Sequence, residues 1–300
     1  MNNNEINIIL YSYKGKTALN TIHSLLENCS EENSILINFY DQHQFDRSKQ
    51  LFEIASQYQK HKYIYSHIFW DSIKSPIKFK EEKLINSKSK YILIVSDRIT
   101  VNKNWDKDLI NFIDNRPIIV SGNGSVKITN KNIFFTKTEI SNNIDFSVTN
   151  YISENFIFGL KNTFDHAMIN GYALPSYLKH YGFQEIMSVQ FYSKHVPIYC
   201  APTQLYNVLN YDQLEDFNIY IPFSKIHNYN EVVKLFKNNK NKYIEVIDNS
   251  IPRFSEYHNF DFSSLKYLPY EKNDVIYSTQ DSKFDKIDGR RFLDGVKTVN

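Results

Sequence analysis

Cysteine is nearly absent from this chain of 300 residues, with Cys29 and Cys200 its only two. So few thiols, without metal-ligand spacing, make no disulfide framework and no zinc site, and they predict packed side chains in a reducing, cytoplasmic setting. Long apolar runs are missing too. None approaches the roughly 20 residues that cross a bilayer, and the opening MNNNEINIIL has neither the basic start nor the long apolar stretch of a signal peptide. A soluble chain without a membrane span is therefore expected. An excess of one charge is also lacking, since 35 basic residues face 33 acidic ones for a net charge of +2. That balance argues against a whole-chain attraction to nucleic acid or anionic membrane. Glycine and proline are scarce at 8 each, beside abundant Asn, Ile and Lys, a bias that follows from an AT-rich coding sequence and carries little functional information. The 9 histidines are scattered without an H-x-x-x-H spacing and read as structural or surface residues. No P-loop, G-x-G-x-x-G or G-x-S-x-G elbow occurs, which removes the usual support for kinase, dinucleotide oxidoreductase and hydrolase chemistry.

What the chain does have is a repeated grammar in its first half. INIILYSY, SILINFY, YIYSHIF, YILIVS and PIIVSG are short β-rich apolar runs, and longer mixed segments separate the first four. Residues 18–28 and 105–113 set their apolar side chains at helical spacing, with Trp105 expected in the core. Near-continuous apolar strands alternating with helices predict an α/β fold with a mostly parallel sheet covered on both faces. Residues 122–149 loosen into polar loops with short strands, NFIFGLKNTF predicts a strand and then a helix capped near Asn162 or Thr163, and residues 182–195 predict another helix with Ile186 and Val189 facing inward. Further on, YNEVVKLFKNNKNKYIEVID suggests a helix and a strand before a polar tail. The organisation expected is a core over residues 1–212 and a C-terminal extension over 213–300.

Ligands of open α/β sheets bind beyond the carboxyl ends of the strands. YSYKGK follows the first run, NFYDQH the second and SDR the fourth, so Ser12, Tyr13, Lys14, Asp41, Ser96, Asp97 and Arg98 fall at such ends. A carboxylate there can hold a divalent cation or a sugar hydroxyl, and the adjacent Lys or Arg can balance a diphosphate. The alternative for Asp97 and Arg98 is a turn cap beside a solvated base. Glu185, with Gln184, sits in the first turn of the 182–195 segment, where the helix dipole favours a carboxylate.

Five segments, in order, resemble the GT-A glycosyltransferases, and most of all the family-60 N-acetylglucosaminyltransferases that modify hydroxyproline. They are YSYKGKTALNTIHSLLENC, SPIKFKEEKL, YILIVSDRITVNKNWD, NFIFGLKNTF and YGFQEIMSVQFYSKHVPIYCAPTQ, together spanning about residues 6–210. The resemblance implies a GT-A-like, Rossmann-like core that moves a sugar from a nucleotide-activated donor, a UDP-sugar, to a hydroxyl. It implies donor contacts from Ser12, Tyr13, Lys14, Asp41, Ser96 and Arg98, places Lys80 where the family has an Arg, and assigns Glu185 to acceptor activation with Asp97 at the donor. A manganese or magnesium ion would take Asp97 as its ligand. The acceptor implied is a protein or glycan, the other readings being a hydroxymethylated base in phage-like DNA or a non-catalytic nucleotide-sugar or glycan-binding module. The sequence also departs from the family. Its Asp-Ser-His falls on Ser96, Asp97 and Arg98, and the metal-binding His after Ala-Pro-Thr has no counterpart, the stretch offering Asn207, Asn210 and Asp212. Basic residues at 237–242, with Lys286, Arg290 and Arg291, are the candidate surface for a DNA acceptor.

Overall fold

The apolar runs of the first half become strands β1 (Glu5–Tyr13), β2 (Ser34–His43), β3 (Lys62–Phe69) and β4 (Tyr91–Ser96), and helices α1 (Ala18–Glu27), α2 (Ser48–Ala55) and α3 (Pro76–Ile85) separate them. The expected alternation holds. The computed structural model describes residues 5–13, 17–69, 76–122, 144–149, 152–153, 155–168, 171, 173–174, 183–208, 260–261 and 266–267. After β4 come β5 (Ile99–Val101), α4 (Trp105–Ile113), β6 (Ile119–Ser121), β7 (Ser147–Thr149), β8 (Phe156–Leu160), α5 (Lys161–His166), α6 (Phe183–Ser193), β9 (Ile198–Cys200) and β10 (Tyr206–Val208). A small pair, β11 (Phe260–Asp261) and β12 (Lys266–Tyr267), belongs to the C-terminal third. The expected boundary after residue 212, the helix and strand near residues 228–248 and the basic clusters lie outside the described residues.

The main sheet has eight strands in the order β3-β2-β1-β4-β8-β6-β9-β7. β3, β2, β1 and β4 are parallel, as are β6 and β9, while β8 and β7 run against the others. The sheet is thus mostly parallel. From β1 the chain steps to β2 and β3 on one side and returns to β4 on the other, so the strand order reverses between β1 and β4. Their carboxyl ends flank the crevice where such sheets take ligands.

One face of this sheet carries Ile8, Leu10, Ile37, Phe39, Leu93 and Val95 in a single core with Ile22 and Leu25 of α1 and Trp105 and Leu109 of α4. Trp105 is fully buried and its indole N–H donates to the Leu25 carbonyl at 3.3 Å. A Cβ on Gly159 of β8 would stand 2.6 Å from Cδ1 of Ile119, its partner on β6, so that side chain would have to shift to admit one. Asn104, at φ 63°, turns the chain into α4 through the left-handed conformation that Asn tolerates.

Two helix boundaries differ from expectation. α5 starts at Lys161 with Leu160 as its extended cap residue, because β8 runs straight into the helix, so neither Asn162 nor Thr163 caps it and the Thr163 hydroxyl is buried without a hydrogen bond. α6 ends at Ser193 and is closed by His195 at φ 56°. Met187, Ser188, Gln190 and Phe191 form the described buried face of α6, while the side chains of Ile186 and Val189 lie outside the described residues.

Candidate donor site

In the β1–β4 register Tyr11 pairs with Ser96, so Ser12 and Asp97 meet just past the last paired residues. Ser12 is fully buried and its hydroxyl donates to Asp97 Oδ2 at 2.7 Å. Thr17 then donates its hydroxyl to the Asp97 carbonyl oxygen at 2.6 Å. Thr17 is also the N-cap residue of α1, a position whose hydroxyl ordinarily satisfies the helix's own N–H groups. Here it makes no such bond, because the hydroxyl is committed to Asp97. Asp97 is therefore held at its side chain and its backbone from either end of the β1–α1 connection.

Burial pushes the Asp97 carboxyl above its ordinary range, and the Ser12 bond, Arg98 and Arg47 each pull it back in part. The neighbouring Ser96 and Arg98 are half-buried, and the Arg98 backbone N–H donates to Ser96 Oγ at 3.4 Å. Immediately after them β5 pairs antiparallel with β10, which sets Val208 opposite Ile99 next to the Asp97 turn and leaves the Ala-Pro-Thr stretch toward the far end of β5. Asn207 in β10 donates to Asn102 Oδ1 at 3.3 Å.

Asp41 lies opposite Ser12 in the β1–β2 register, at the end of the neighbouring strand. Its carboxylate is fully buried and already engaged. Arg47 donates Nε to Oδ2 at 2.8 Å and Nη2 to Oδ1, and the Tyr65 hydroxyl donates to Oδ2 at 3.2 Å. The Arg47 backbone N–H in turn donates to Tyr65 at 2.9 Å. Asp41 thus faces a buried guanidinium and presents no open acceptor edge to solvent. Arg47 escaped the sequence reading, although an acid at a strand end followed six residues later by an arginine was a usable signal.

Of the other expected residues, the side chain of Lys80 alone is among those described. Lys80 is buried on α3, which packs against β1. Tyr13 ends β1 with its side chain outside the described residues, where Lys14 also lies. Glu185 is the third residue of α6, and its side chain too is outside the described residues. The helix that carries it is fixed by Ser188, which accepts the Ile152 N–H at 3.0 Å, and by Gln190, which donates to the carbonyls of Ala167 at 2.8 Å and Ala173 at 3.1 Å.

The Trp-Asp pair answers to structure. Asp106 is fully buried in the first turn of α4 and accepts the Ser30 N–H at 2.9 Å, the Ser30 hydroxyl at 2.5 Å and Asn33 Nδ2 at 2.7 Å, with the Cys29 thiol at 3.4 Å. It ties the α1–β2 turn to α4. Burial and then the Asp106 charge push the Cys29 thiol up, and burial does the same to Cys200, so both are packed thiols as expected.

No protein-family model and no curated protein matches the chain. Solved structures do. Residues 1–349 of S. aureus TarS in complex with UDP-GlcNAc align with a TM-score of 0.55 at 16% identity, over 88% of this chain and 76% of that one. A longer S. aureus TarS structure gives 0.52 at 14% identity over 85% and 43% of the two chains. GalNAc-T7 with UDP, GalNAc and Mn2+ gives 0.50 at 12% identity over 86% and 55%. The fold is GT-A-like. The chain spans about half the length of the last two structures, 43% and 55% of them. At such identities the likeness speaks for the GT-A fold and not for the family-60 relationship. Among the described residues no helix is long and apolar enough to cross a membrane.

Proposed function

We propose that the protein transfers a sugar from a nucleotide-sugar donor, a UDP-sugar, to a hydroxyl on a protein or glycan. The observation that carries this is the closure of Ser12, Thr17 and Asp97 at the point where the strand order of a GT-A-like sheet reverses. An immobilised carboxylate in that crevice can accept a hydrogen bond from a donor hydroxyl, and Arg98 beside it supplies charge for the diphosphate as the nucleotide leaves. Ser12 and Thr17 hold Asp97 at a fixed place, Ser96 supports the Arg98 backbone, and Asp41 acts through Arg47. Tyr13, Lys14 and Lys80 complete the donor side in this reading, and Glu185 serves the acceptor from α6. The C-terminal third shapes the acceptor cleft. TarS bound to UDP-GlcNAc and GalNAc-T7 bound to UDP support the donor class.

A manganese or magnesium ion belongs to the sequence reading, and GalNAc-T7 carries Mn2+. The described residues do not fit one well. They contain no group of three or more His, Cys, Asp or Glu placed to hold a metal, and Asp41 is engaged by Arg47.

The deciding experiment incubates the chain with a panel of UDP-sugars and with protein, glycan and hydroxymethylated-DNA acceptors, measuring released UDP and labelled product. Transfer to protein or glycan is expected. UDP-sugar binding without turnover under all acceptor conditions would support the non-catalytic module instead, and exclusive labelling of DNA would replace the acceptor. Glu185→Gln should lower the transfer rate by about 10² if Glu185 handles the acceptor proton.

A further inference from the structure

We propose that this site neutralises the donor diphosphate with the protein's own guanidinium charge, that of Arg98 at the carboxyl end of β4, and requires no divalent cation. The proposal rests on the nucleotide-sugar reading.

Hard cations such as Mg2+ and Mn2+ seek several oxygen ligands and share phosphate charge through one or two carboxylates. At the β4–β5 turn the carboxylate is Asp97 alone, flanked by Ser96 and Arg98. One Asp97 oxygen takes the Ser12 hydroxyl at 2.7 Å, and the carboxylate is attracted by both Arg98 and Arg47. A divalent ion placed on Asp97 would therefore stand beside Arg98, where two positive charges meet one and repel twice as strongly as a pair of unit charges. The next carboxylate along the sheet edge cannot relieve this, because Asp41 is fully buried and bound through both oxygens to Arg47.

The same arrangement suits a phosphate. A guanidinium stays charged at every physiological pH, and its planar fork matches two phosphate oxygens at once. Arg98 is half-buried at the edge of the crevice, where water screens its charge less than on an open surface. Arg47, fixed by Asp41 and Tyr65, closes the neighbouring carboxylate of this sheet edge to a cation.

The test is calorimetric titration of UDP into the full chain, once in EDTA and once in excess Mn2+, with uridine as the phosphate-free control. The two dissociation constants for UDP should agree within about threefold. Arg98→Ala should weaken UDP by about tenfold or more in EDTA and leave uridine unchanged, and Arg98→Lys, which keeps charge without the fork, should fall between. A tenfold or greater tightening by Mn2+, or an Arg98→Ala variant that binds UDP like the parent, overturns the proposal. If Arg98→Ala fails to fold, the metal comparison on the parent and the Arg98→Lys value decide it. Absence of UDP binding in both buffers overturns the nucleotide-sugar reading, and this inference falls with it.

Discussion

In the proposed site, Asp97 sets the needs of sugar transfer against those of folding. Its folded pKa is raised, first by burial, so the ionised form is the costly one. Stability from this group is fully present below the unfolded value near 3.8 and declines as the pH rises through the folded value. Asp97→Asn keeps an acceptor for Ser12 and removes the buried charge, so at pH 7 it should melt no lower than the parent, and higher if the charge is the main cost. Its advantage should shrink as the pH falls toward the unfolded value of 3.8, because the raised pKa favours the protonated carboxyl of the parent. Donor turnover should nevertheless disappear. A melting series across pH, paired with a UDP-release assay, reads both effects, and retained turnover would remove Asp97 from the site. Arg47 gives the opposite signature. Truncating one partner of a buried ion pair leaves the other charge unpaired, at a cost of about 3–5 kcal/mol. Arg47→Ala should therefore lower the melting temperature by about 10 °C, and the paired Asp41→Leu, Arg47→Met change should recover most of it. Full recovery of stability without recovery of UDP binding would separate the pair's structural part from its part in the site.

The elements show which signals the sequence carries and which it hides. β1, β2 and β4 were legible because a strand buried on both faces is apolar almost throughout, as Ile6 to Leu10 and Tyr91 to Val95 are. The direction of β8 was not, since an apolar run reads the same either way, and only the pairing of Ile94 with Ile157 shows it antiparallel. The β5–β10 ladder joins Thr100 to Asn207, too far apart for any local pattern to announce. Candidate residues followed the same divide. Ser12, Ser96, Asp97 and Arg98 could be placed because strand ends are local features, whereas the part played by Thr17 depends on a contact 80 residues away. His61, read with the other histidines as structural or surface, offers a test at this scale. It lies between α2 and β3 and accepts the Ile35 N–H on Nδ1 at 3.1 Å, fastening the start of β2. Burial first, and the Lys60 charge second, push its pKa down from 6.5 to about 4. Its contribution is therefore intact above pH 6.5 and declines toward pH 4 as the unfolded chain gains a proton that the folded chain refuses. The imidazole is only half-buried, which limits the effect to about 1 kcal/mol, or a few degrees. His61→Asn, which retains an acceptor near Nδ1, should flatten the decline between pH 7 and 5. An unchanged slope would assign it to other groups.

For the whole molecule, ligand binding should appear as resistance to heat. A nucleotide bound to the folded chain at 100 times its dissociation constant adds about 2.7 kcal/mol, and UDP should therefore raise the melting temperature by about 5–10 °C. ADP and GDP serve as controls, and equal shifts from all three would argue for a phosphate site that ignores the base. The near balance of 35 basic and 33 acidic residues matters here, because it gives the chain little general attraction for anions. A nucleotide shift would then report the crevice. The bonds from Ser12 and Thr17 to Asp97 also have a bearing on how this protein can change. Four residues, 13–16, separate those anchors in the sequence. A change in their number alters the span that the two anchors bridge, whereas an exchange of side chains keeps it. In the proposed donor site, substitutions at Tyr13 and Lys14 are therefore expected to change donor preference while leaving the fold in place, and a library confined to those two positions, read by UDP release with each donor, measures it.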